Sequence, residues 1–188
     1  LGNIRETDAI LHVLRCFDDG NVVHVDGSVD PVRDKEIIDT ELQLKDLETV
    51  ENRIKRVEKI AQIGNDKNAK VEYDVLTAVR AALLEGKNAR SVDFDSKDEQ
   101  TALRNLFLLT SKPVLYVCNV DEASAATGNE YVERVREAVK SEGAEILVVA
   151  AQTEADIAEL ETYEERQEFL KDVGLEESGV SRLIKSAY

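Results

Sequence analysis

The chain has 188 residues, of which 43% are hydrophobic, and a formal net charge of −15. This length and composition are sufficient to bury one core of ordinary size and argue against a disordered chain. The acidic balance excludes a protein that covers phosphate backbones with its whole surface. No apolar run approaches the roughly 20 residues that span a bilayer, and no secretion signal is evident. We therefore expect no membrane partner and a cytoplasmic location.

The cysteines and histidines do not suggest a metal centre. Cys16 and Cys118 each lie inside an apolar run, which is typical of reduced thiols packed as small hydrophobic side chains. His12 and His24 have no Cys or His neighbour at the spacing of zinc ligands. The sequence contains no Met and begins at Leu1, from which we expect a piece of a longer protein.

The first predicted elements are a strand and a long helix. Residues 9–17 form an apolar run without polar alternation, the pattern of a parallel strand that is covered on both faces. A helix is predicted from Pro31, because Asp30 can cap it and Gly64 suits its end. Its apolar residues recur at alternating spacings of 3 and 4, as in a coiled-coil seam: Leu47, Val50, Ile54, Val57 and Ala61.

A second helix is predicted before Gly86, with a similar apolar repeat. The repeating residues are Val71, Val75, Ala78 and Ala82. The two helices most simply form an antiparallel hairpin. The first helix, with about 30 residues at a rise of about 1.5 Å each, would be about 45 Å long and would project beyond a sheet.

The next elements build a strand, helix, strand unit. Ser96 and Glu99 predict a capping box at the start of a third helix, which leads into an apolar strand at 113–118. A helical stretch at 131–140 connects this strand to a third apolar strand at 145–150. Such a unit is typical of parallel crossovers. The elements together predict an α/β fold with a parallel sheet and an inserted α-helical coiled-coil hairpin.

The last part of the chain is acidic. Residues 154–177 include ten acidic and two basic residues, which we interpret as a solvated helical face and loop. Residues 178–188 have the pattern of one more amphipathic helix. No charge cluster here points to a binding site.

Two loops at strand ends are the candidate binding site, because ligands of open parallel sheets lie at the carboxyl ends of the strands. Residues 119–122 (Asn-Val-Asp-Glu) follow the second strand, and residues 150–152 (Ala-Ala-Gln) follow the third. P-loop GTPases read the nucleobase with loops in these two places. We therefore predict a nucleobase site.

The first loop departs from the GTPase pattern Asn-Lys-x-Asp, in which the carboxylate accepts two hydrogen bonds from guanine. Val120 stands in place of the Lys, and Glu122 is at the fourth position. Adenine offers an N6 donor and an N7 acceptor, which an Asn amide can meet with its oxygen and nitrogen, so we assign this contact to Asn119. Val120 would supply an apolar wall for the ring. A loop Asn is also a common helix cap, which is the alternative role.

The second loop would close the other side of the base. Ala150, Ala151 and Gln152 are the residues that we assign to it, through backbone and side-chain contacts. Glu122 leaves a second possibility open, since its carboxylate could do the work of the GTPase Asp and select GTP. The loss of the Lys at Val120 weighs against that alternative.

Three stretches resemble YchF-type Obg-related ATPases. Residues 11–42 (LHVLRCFDDGNVVHVDGSVDPVRDKEIIDTEL) look like the segment that follows the second switch of that family. Residues 112–122 (KPVLYVCNVDE) resemble its base-reading strand and loop, and residues 174–188 (GLEESGVSRLIKSAY) resemble the end of its nucleotide-binding domain. The similarity covers essentially the whole chain.

This resemblance implies a TRAFAC-class P-loop core, an inserted coiled-coil hairpin and a downstream TGS domain. It also implies ATP as the preferred nucleotide, Mg²⁺-dependent hydrolysis of the β–γ bond, and association with ribosomes. Residues 1–30 and 104–188 would then be the second half of the nucleotide-binding domain, and residues 31–103 the inserted hairpin.

Parts of the family pattern are missing from this sequence. It contains no G-x-x-x-x-G-K-[ST] phosphate loop and no D-x-x-G second switch, and residues 150–152 stand where the family has Ser-Ala-Lys. The phosphate cradle and the Mg²⁺ ligands are therefore expected outside this chain. We assign no catalytic residue and no metal ligand, and we expect the chain alone to be inactive as an ATPase.

A binding module is the rival interpretation, in which the nucleotide site is vestigial and the hairpin contacts ribosomal RNA or a partner helix. Residues 45–90 carry ten basic and eight acidic residues, whereas the chain as a whole is strongly acidic. The candidate contacts are Arg53, Lys55, Arg56, Lys59, Lys67 and Lys70. Charged residues also commonly flank coiled-coil seams without binding anything.

Overall fold

The computed structural model describes residues 1–18, 20, 28–64 and 66–188. His24 lies outside the described residues. The chain divides into two compact units, one formed by Leu1–Ile10 and Glu36–Pro113 and the other by Leu11–Lys35 and Val114–Tyr188. The domain limits 1–30 with 104–188, and 31–103, remain a prediction.

Three parallel strands form the sheet, in the order β1 (Ile10–Arg15), β2 (Val114–Asn119) and β3 (Ile146–Val149). β2 and β3 are parallel, with Asn119 opposite Val149. Bonds from Ile10 N to Pro113 O (2.9 Å) and from Cys16 N to Asn119 O (2.7 Å) keep one constant offset, so β1 and β2 are parallel as well. The three predicted strands are confirmed, with ends displaced by a residue or two.

The sheet packs on α5 (Glu130–Val139), which connects β2 to β3 and is followed by a 3₁₀ turn at Lys140–Glu142. The apolar runs predicted to be covered are buried in this core. Its fully enclosed side chains include Leu14, Cys16, Tyr116, Cys118, Val132, Val135 and Val139.

Both cysteines are free and buried in this core, in agreement with the sequence-based prediction. A hydrogen bond with Cys118, together with burial, raises the pKa of the Cys16 thiol. A thiol with a raised pKa stays protonated at neutral pH and is a poor nucleophile. Cys16 therefore acts as a small core side chain.

The helical unit is a hairpin of α2 (Pro31–Ile63) and α3 (Lys67–Leu84). α2 begins at the predicted proline and is 33 residues long. Three contacts show that the helices are antiparallel, because later residues of α2 meet earlier residues of α3. The contacts are Gln43 with Gly86, Glu51 with Arg80, and Arg53 with Glu72.

The seam of α2 is confirmed: Val50 and Val57 are fully buried in the hairpin core, and Leu47, Ile54 and Ala61 pack against it. The predicted face of α3 is correct but incomplete, and its residues Val71 and Ala78 are half-buried. Val75 and Ala82 are buried as expected, but the same face also buries Leu76, Val79 and Leu83. A helix packed on more than one neighbour buries a broader stripe than a two-helix seam, and α3 also packs on α4 (Lys97–Arg104).

The cap of α4 differs in detail from the capping box predicted at Ser96. Its hydroxyl accepts from Glu99 N (3.1 Å) and donates to the Glu99 carboxylate (2.8 Å), instead of leaving that carboxylate to the Ser96 backbone. α4 ends at Arg104, and Phe107, three residues further on, has a positive φ of 49°. A capping box does form at Thr162 and Glu165, at the start of α7 (Tyr163–Asp172).

The remaining elements are α1 (Gly2–Arg5), short 3₁₀ turns at Ala89–Ser91 and Glu122–Ser124, and three helices at the end of the chain. These helices are α6 (Ala151–Ala158), α7 (Tyr163–Asp172) and α8 (Gly179–Ala187). The acidic stretch thus covers most of α6 and α7, and the last helix is confirmed. Within the described residues, no helix combines the length and apolar character needed to cross a membrane.

Candidate nucleobase site

The two predicted loops leave the sheet side by side. Asn119 is the last residue of β2 and lies opposite Val149, the last residue of β3. One further bond, from Val120 N to Val149 O (2.9 Å), continues the ladder beyond the strands. The carboxyl ends of the two strands therefore coincide, as a ligand site of an open parallel sheet requires.

Asn119 joins the two loops. Its side-chain Oδ1 accepts a hydrogen bond from Ala151 N at 2.9 Å, across 32 positions in the sequence. Ala151 begins α6, and the N-cap residue Ala150 has no side-chain acceptor for the free N–H groups of the first turn. Asn119 thus supplies a cap from the neighbouring strand. Among the described residues, no hydrogen-bond partner is found for its Nδ2 group, which remains available as a donor.

Val120 and Ala150 are core residues at the base of the loops. Each is 3% exposed and belongs to the hydrophobic core under the sheet. Val120 therefore presents little side-chain surface, and an apolar wall for a base would depend on that small exposed fraction. Its assignment as a ring contact stays a prediction.

Glu122 is exposed and begins the short 3₁₀ turn after β2. The preceding Asp121 caps that turn, because its Oδ1 accepts from Ser124 N at 3.0 Å. The alternative role of capping the next turn thus belongs to Asp121, whereas Asn119 caps a helix that is distant in sequence. In the part of the chain that the structure describes, the Glu122 carboxylate has no hydrogen-bond or ion-pair partner.

Ala151 and Gln152 are exposed in the first turn of α6. Gln152 Nε2 donates to Asp156 Oδ1 at 3.2 Å, which leaves its amide oxygen unengaged by that contact. Thr153 is 1% exposed, and its hydroxyl has no hydrogen-bond partner among the described residues. The first turn of α6 thus offers an acceptor at Gln152 beside the donor of Asn119.

The structure therefore bonds Asn119 to Ala151 of the second loop and Val120 to Val149, the last residue of β3. Glu122 and Gln152 are exposed side chains of the two loops. The sequence analysis did not predict two residues that support these loops, Asp121 and Glu154. Asp121 could have been found from its N-cap pattern. Glu154 could not, because its partners are 25 and 26 positions away.

Cys16 and Asp18, which follow β1, are bonded to the start of α5. Asn129 Nδ2 donates to Cys16 O at 2.7 Å, and Tyr131 donates its hydroxyl to both carboxylate oxygens of Asp18 at 2.9 and 3.0 Å. The hydrogen bond to Asp18 raises the pKa of Tyr131, so the phenol remains a donor at neutral pH. These contacts order the carboxyl end of β1 as well.

The six basic residues predicted to contact RNA or a partner are exposed on the hairpin unit. Arg53 pairs with Glu72 at 2.5 Å. For Lys55, Arg56, Lys59, Lys67 and Lys70, the described part of the chain provides no ion-pair partner. These five cations are therefore available to an external ligand.

The described residues contain no group of three or more His, Cys, Asp or Glu side chains arranged to hold a metal ion. We assign no metal ligand to this chain and build no step on the ion.

The three-stranded parallel sheet, together with the solved structure that it resembles, defines the P-loop NTPase fold class. No protein-family model matches the sequence. The chain nevertheless belongs to the YchF family over the region that it spans, since curated relatives match it from end to end.

Two bacterial proteins and one solved structure match this chain over its full length. The ribosome-binding ATPase YchF of Bacillus subtilis is 49% identical over 190 residues, covering 100% of this chain and 51% of that protein. The protein of the same name from Escherichia coli O157:H7 is 47% identical over 188 residues, with the same coverage. A structure of the Schizosaccharomyces pombe YchF GTPase matches with a TM-score of 0.86 and 31% identity, over 100% of this chain and 51% of that one. The chain spans about half the length of the curated relatives it matches.

Proposed function

We propose that this chain carries the nucleobase-reading loops of a cytoplasmic protein that binds and hydrolyses ATP and associates with ribosomes. The hydrogen bond between Asn119 Oδ1 and Ala151 N carries the proposal, because it joins the two loops and orients the Asn119 amide. The names of the bacterial relatives, ribosome-binding ATPases, support the choice of nucleotide and partner.

The orientation of Asn119 limits what it can read. With Oδ1 bonded to Ala151 N, the Nδ2 group is the donor that remains without a partner among the described residues, and it suits the N7 acceptor that adenine and guanine share. Selection of adenine then needs an acceptor for its N6 amine. The second lone pair of Asn119 Oδ1 and the amide oxygen of Gln152 are the candidates. Either oxygen would oppose the O6 acceptor of guanine.

Hydrolysis is assigned to the whole protein and not to residues of this chain. Phosphoryl transfer depends on positioning and charge stabilisation by a phosphate loop and Mg²⁺. This sequence has no such loop. The 188-residue chain alone should therefore release no phosphate from ATP above background.

The base contact can be tested in a chimera in which this chain replaces the matching segment of the Bacillus subtilis relative. Asn119→Asp keeps an oxygen for Ala151 N but removes the amide donor. We expect calorimetry to show ATP binding weakened by about tenfold or more, as for the loss of one hydrogen bond of about 1.4 kcal/mol. The melting temperature should remain close to that of the parent.

Asn105→Ala is the matched control, because Asn105 is an exposed residue of the hairpin unit. It should leave ATP binding unchanged. Equal ATP affinity in the Asn119→Asp chimera and its parent would contradict the proposed base site.

Preference for GTP is the first alternative, and the name of the fission yeast relative, a GTPase, favours it. On this view the exposed Glu122 carboxylate accepts from the N1 and N2 donors of guanine. GTP binding tighter than ATP binding in the chimera, and lost in Glu122→Gln, would establish this alternative in place of the adenine site.

RNA binding by the hairpin is the second candidate function, because five exposed cations there have no ion-pair partner among the described residues. Phosphate contacts release counterions, so each one adds about 0.7 to the slope of log affinity against log salt for single-stranded RNA. Reversing Arg56 and Lys59 to Glu should weaken binding to ribosomal RNA and lower that slope by about 1 to 2 units.

Reversal of Arg134 and Arg136 to Glu is the control, since it changes the charge equally on α5, outside the hairpin. Filter binding at several salt concentrations measures both variants. Identical slopes for the two variants would show that the hairpin cations are only a solvated surface.

A further inference from the structure

The start of α8 is hydrogen-bonded to α6, the helix that contains the second loop (residues 150–152) at its beginning. The Glu154 carboxylate, in the first turns of α6, accepts hydrogen bonds from Gly179 N at 2.6 Å and Val180 N at 3.3 Å. Gly179 and Val180 are the first two residues of α8. A carboxylate at this position satisfies two free N–H groups of α8 and lies at the positive end of its dipole.

The close approach of α8 to the sheet supports the same connection independently. A Cβ atom on Gly179 would lie 2.8 Å from Glu154 Oε1 and 2.9 Å from Val149 Cγ1. Val149 is the β3 residue opposite Asn119. Arg182 adds a bond from its Nη2 to Val148 O at 2.6 Å. The start of α8 is thus seated against the end of β3, where the base loops begin.

We propose that Glu154 is a positioning residue for the nucleobase: by bonding the start of α8, it fixes the first turn of α6 and so the Ala151 N–H that orients Asn119. This inference rests on the proposed base site. Glu154 lies two positions after the exposed Gln152, and Glu154 N donates to Ala150 O at 3.0 Å, so its backbone belongs to the same turn as the loop. Because this turn is bonded both to Asn119 and to α8, the distance between the Asn119 amide and the Gln152 side chain is fixed.

The test compares Glu154→Gln with Ser178→Ala. Gln keeps the length of the side chain but offers one acceptor oxygen and no charge. Ser178 is the other cap of α8, accepting from Ser181 N at 3.1 Å, and within the described residues it makes no hydrogen bond to α6. In the 188-residue chain, amide exchange followed by NMR should become about tenfold faster at Ala151 in Glu154→Gln, and unchanged there in Ser178→Ala.

Nucleotide binding is then measured in the chimera with two ligands, ATP and inorganic tripolyphosphate. Glu154→Gln should weaken ATP about tenfold and leave tripolyphosphate unchanged, because only the base contact depends on the loop. A variant that merely unfolds in part would lose both ligands.

The outcomes separate this inference from the function on which it rests. If Asn119→Asp weakens ATP but Glu154→Gln does not, or if Ala151 exchange is unchanged in Glu154→Gln, the positioning role is overturned and the base site stands. If Asn119→Asp has no effect on ATP, the base site fails and the positioning role fails with it.

Discussion

Replacing Asp46 by alanine should lower the free energy of unfolding by about 3–5 kcal/mol, since each buried donor left without a partner costs roughly 1–3 kcal/mol. Asp46 is 0% exposed. Its carboxylate accepts from Leu109 N (2.8 Å), from Thr110 N (2.7 Å) and from the Thr110 hydroxyl (2.6 Å). Alanine would leave all three buried donors without the acceptor that Asp46 provides. Urea unfolding of the 188-residue chain, followed by circular dichroism, measures the change.

The effect of Asp46→Asn should be intermediate, because an amide has one acceptor oxygen where three donors converge. Asp74→Ala is the control: Asp74 is exposed on α3 and should change stability by no more than about 0.5 kcal/mol. Similar losses for Asp46→Ala and Asp74→Ala would show that the carboxylate contacts contribute little.

Gly179→Ala should lower the free energy of unfolding by about 1–3 kcal/mol, the usual cost of overpacking a close contact. The added methyl group would lie 2.9 Å from Val149 Cγ1 and 2.8 Å from Glu154 Oε1, where the strand residue cannot move aside without disturbing β3. The carboxylate would be displaced from the start of α8. Thermal and urea unfolding of the chain give the size of the loss.

Gly2→Ala provides the comparison, since Gly2 also lies in a helix and a Cβ there meets nothing within 4 Å. That change should be neutral or slightly stabilising, because alanine has the higher helix propensity. A Gly179→Ala protein as stable as Gly2→Ala would mean that α8 can shift away from β3 without loss.

The strands and the long helix were predictable because each depends on local pattern. Unbroken apolar runs mark strands covered on both faces, and spacings of 3 and 4 mark one side of a helix. Pro31 and Gly64 bound α2 in the sequence, and α2 extends over Pro31–Ile63. The face of α3 was predicted only in part, because Leu76 and Leu83 are buried by packing of the whole unit and not by the seam alone.

Charged residues show where local pattern fails. Lys35 and Asp46 have the sequence context of solvated positions on a charged helix, yet they are 7% and 0% exposed. Lys35 Nζ lies 3.6 Å from Glu142 Oε1, and Asp46 bonds residues more than 60 positions away. Partners so distant in the chain leave no mark on the spacing of neighbouring residues, so burial of these charges could not be anticipated.

The position of the candidate site can be predicted from the order of strands and loops along the sequence. The hydrogen bonds of the site cannot be predicted in that way. Loops after two buried strands meet at one edge whenever the strands are parallel, and this placed Asn119 near residues 150–152. Which atom of Asn119 faces outward depends on the register of β2 against β3, which aligns its side chain with Ala151 N. The burial of Val120, the first residue after β2, likewise depends on packing into the core under the sheet.

Sequence alone therefore establishes the α/β class, the helical hairpin, the family and the two loops, because composition, periodicity and motifs are properties of neighbouring residues. The tertiary structure decides the partners of Asn119, Glu154 and Asp46, because each partner is brought close by packing across many intervening residues. A hydrogen bond acts only over about 3 Å, so these contacts exist only once strands and helices are in place.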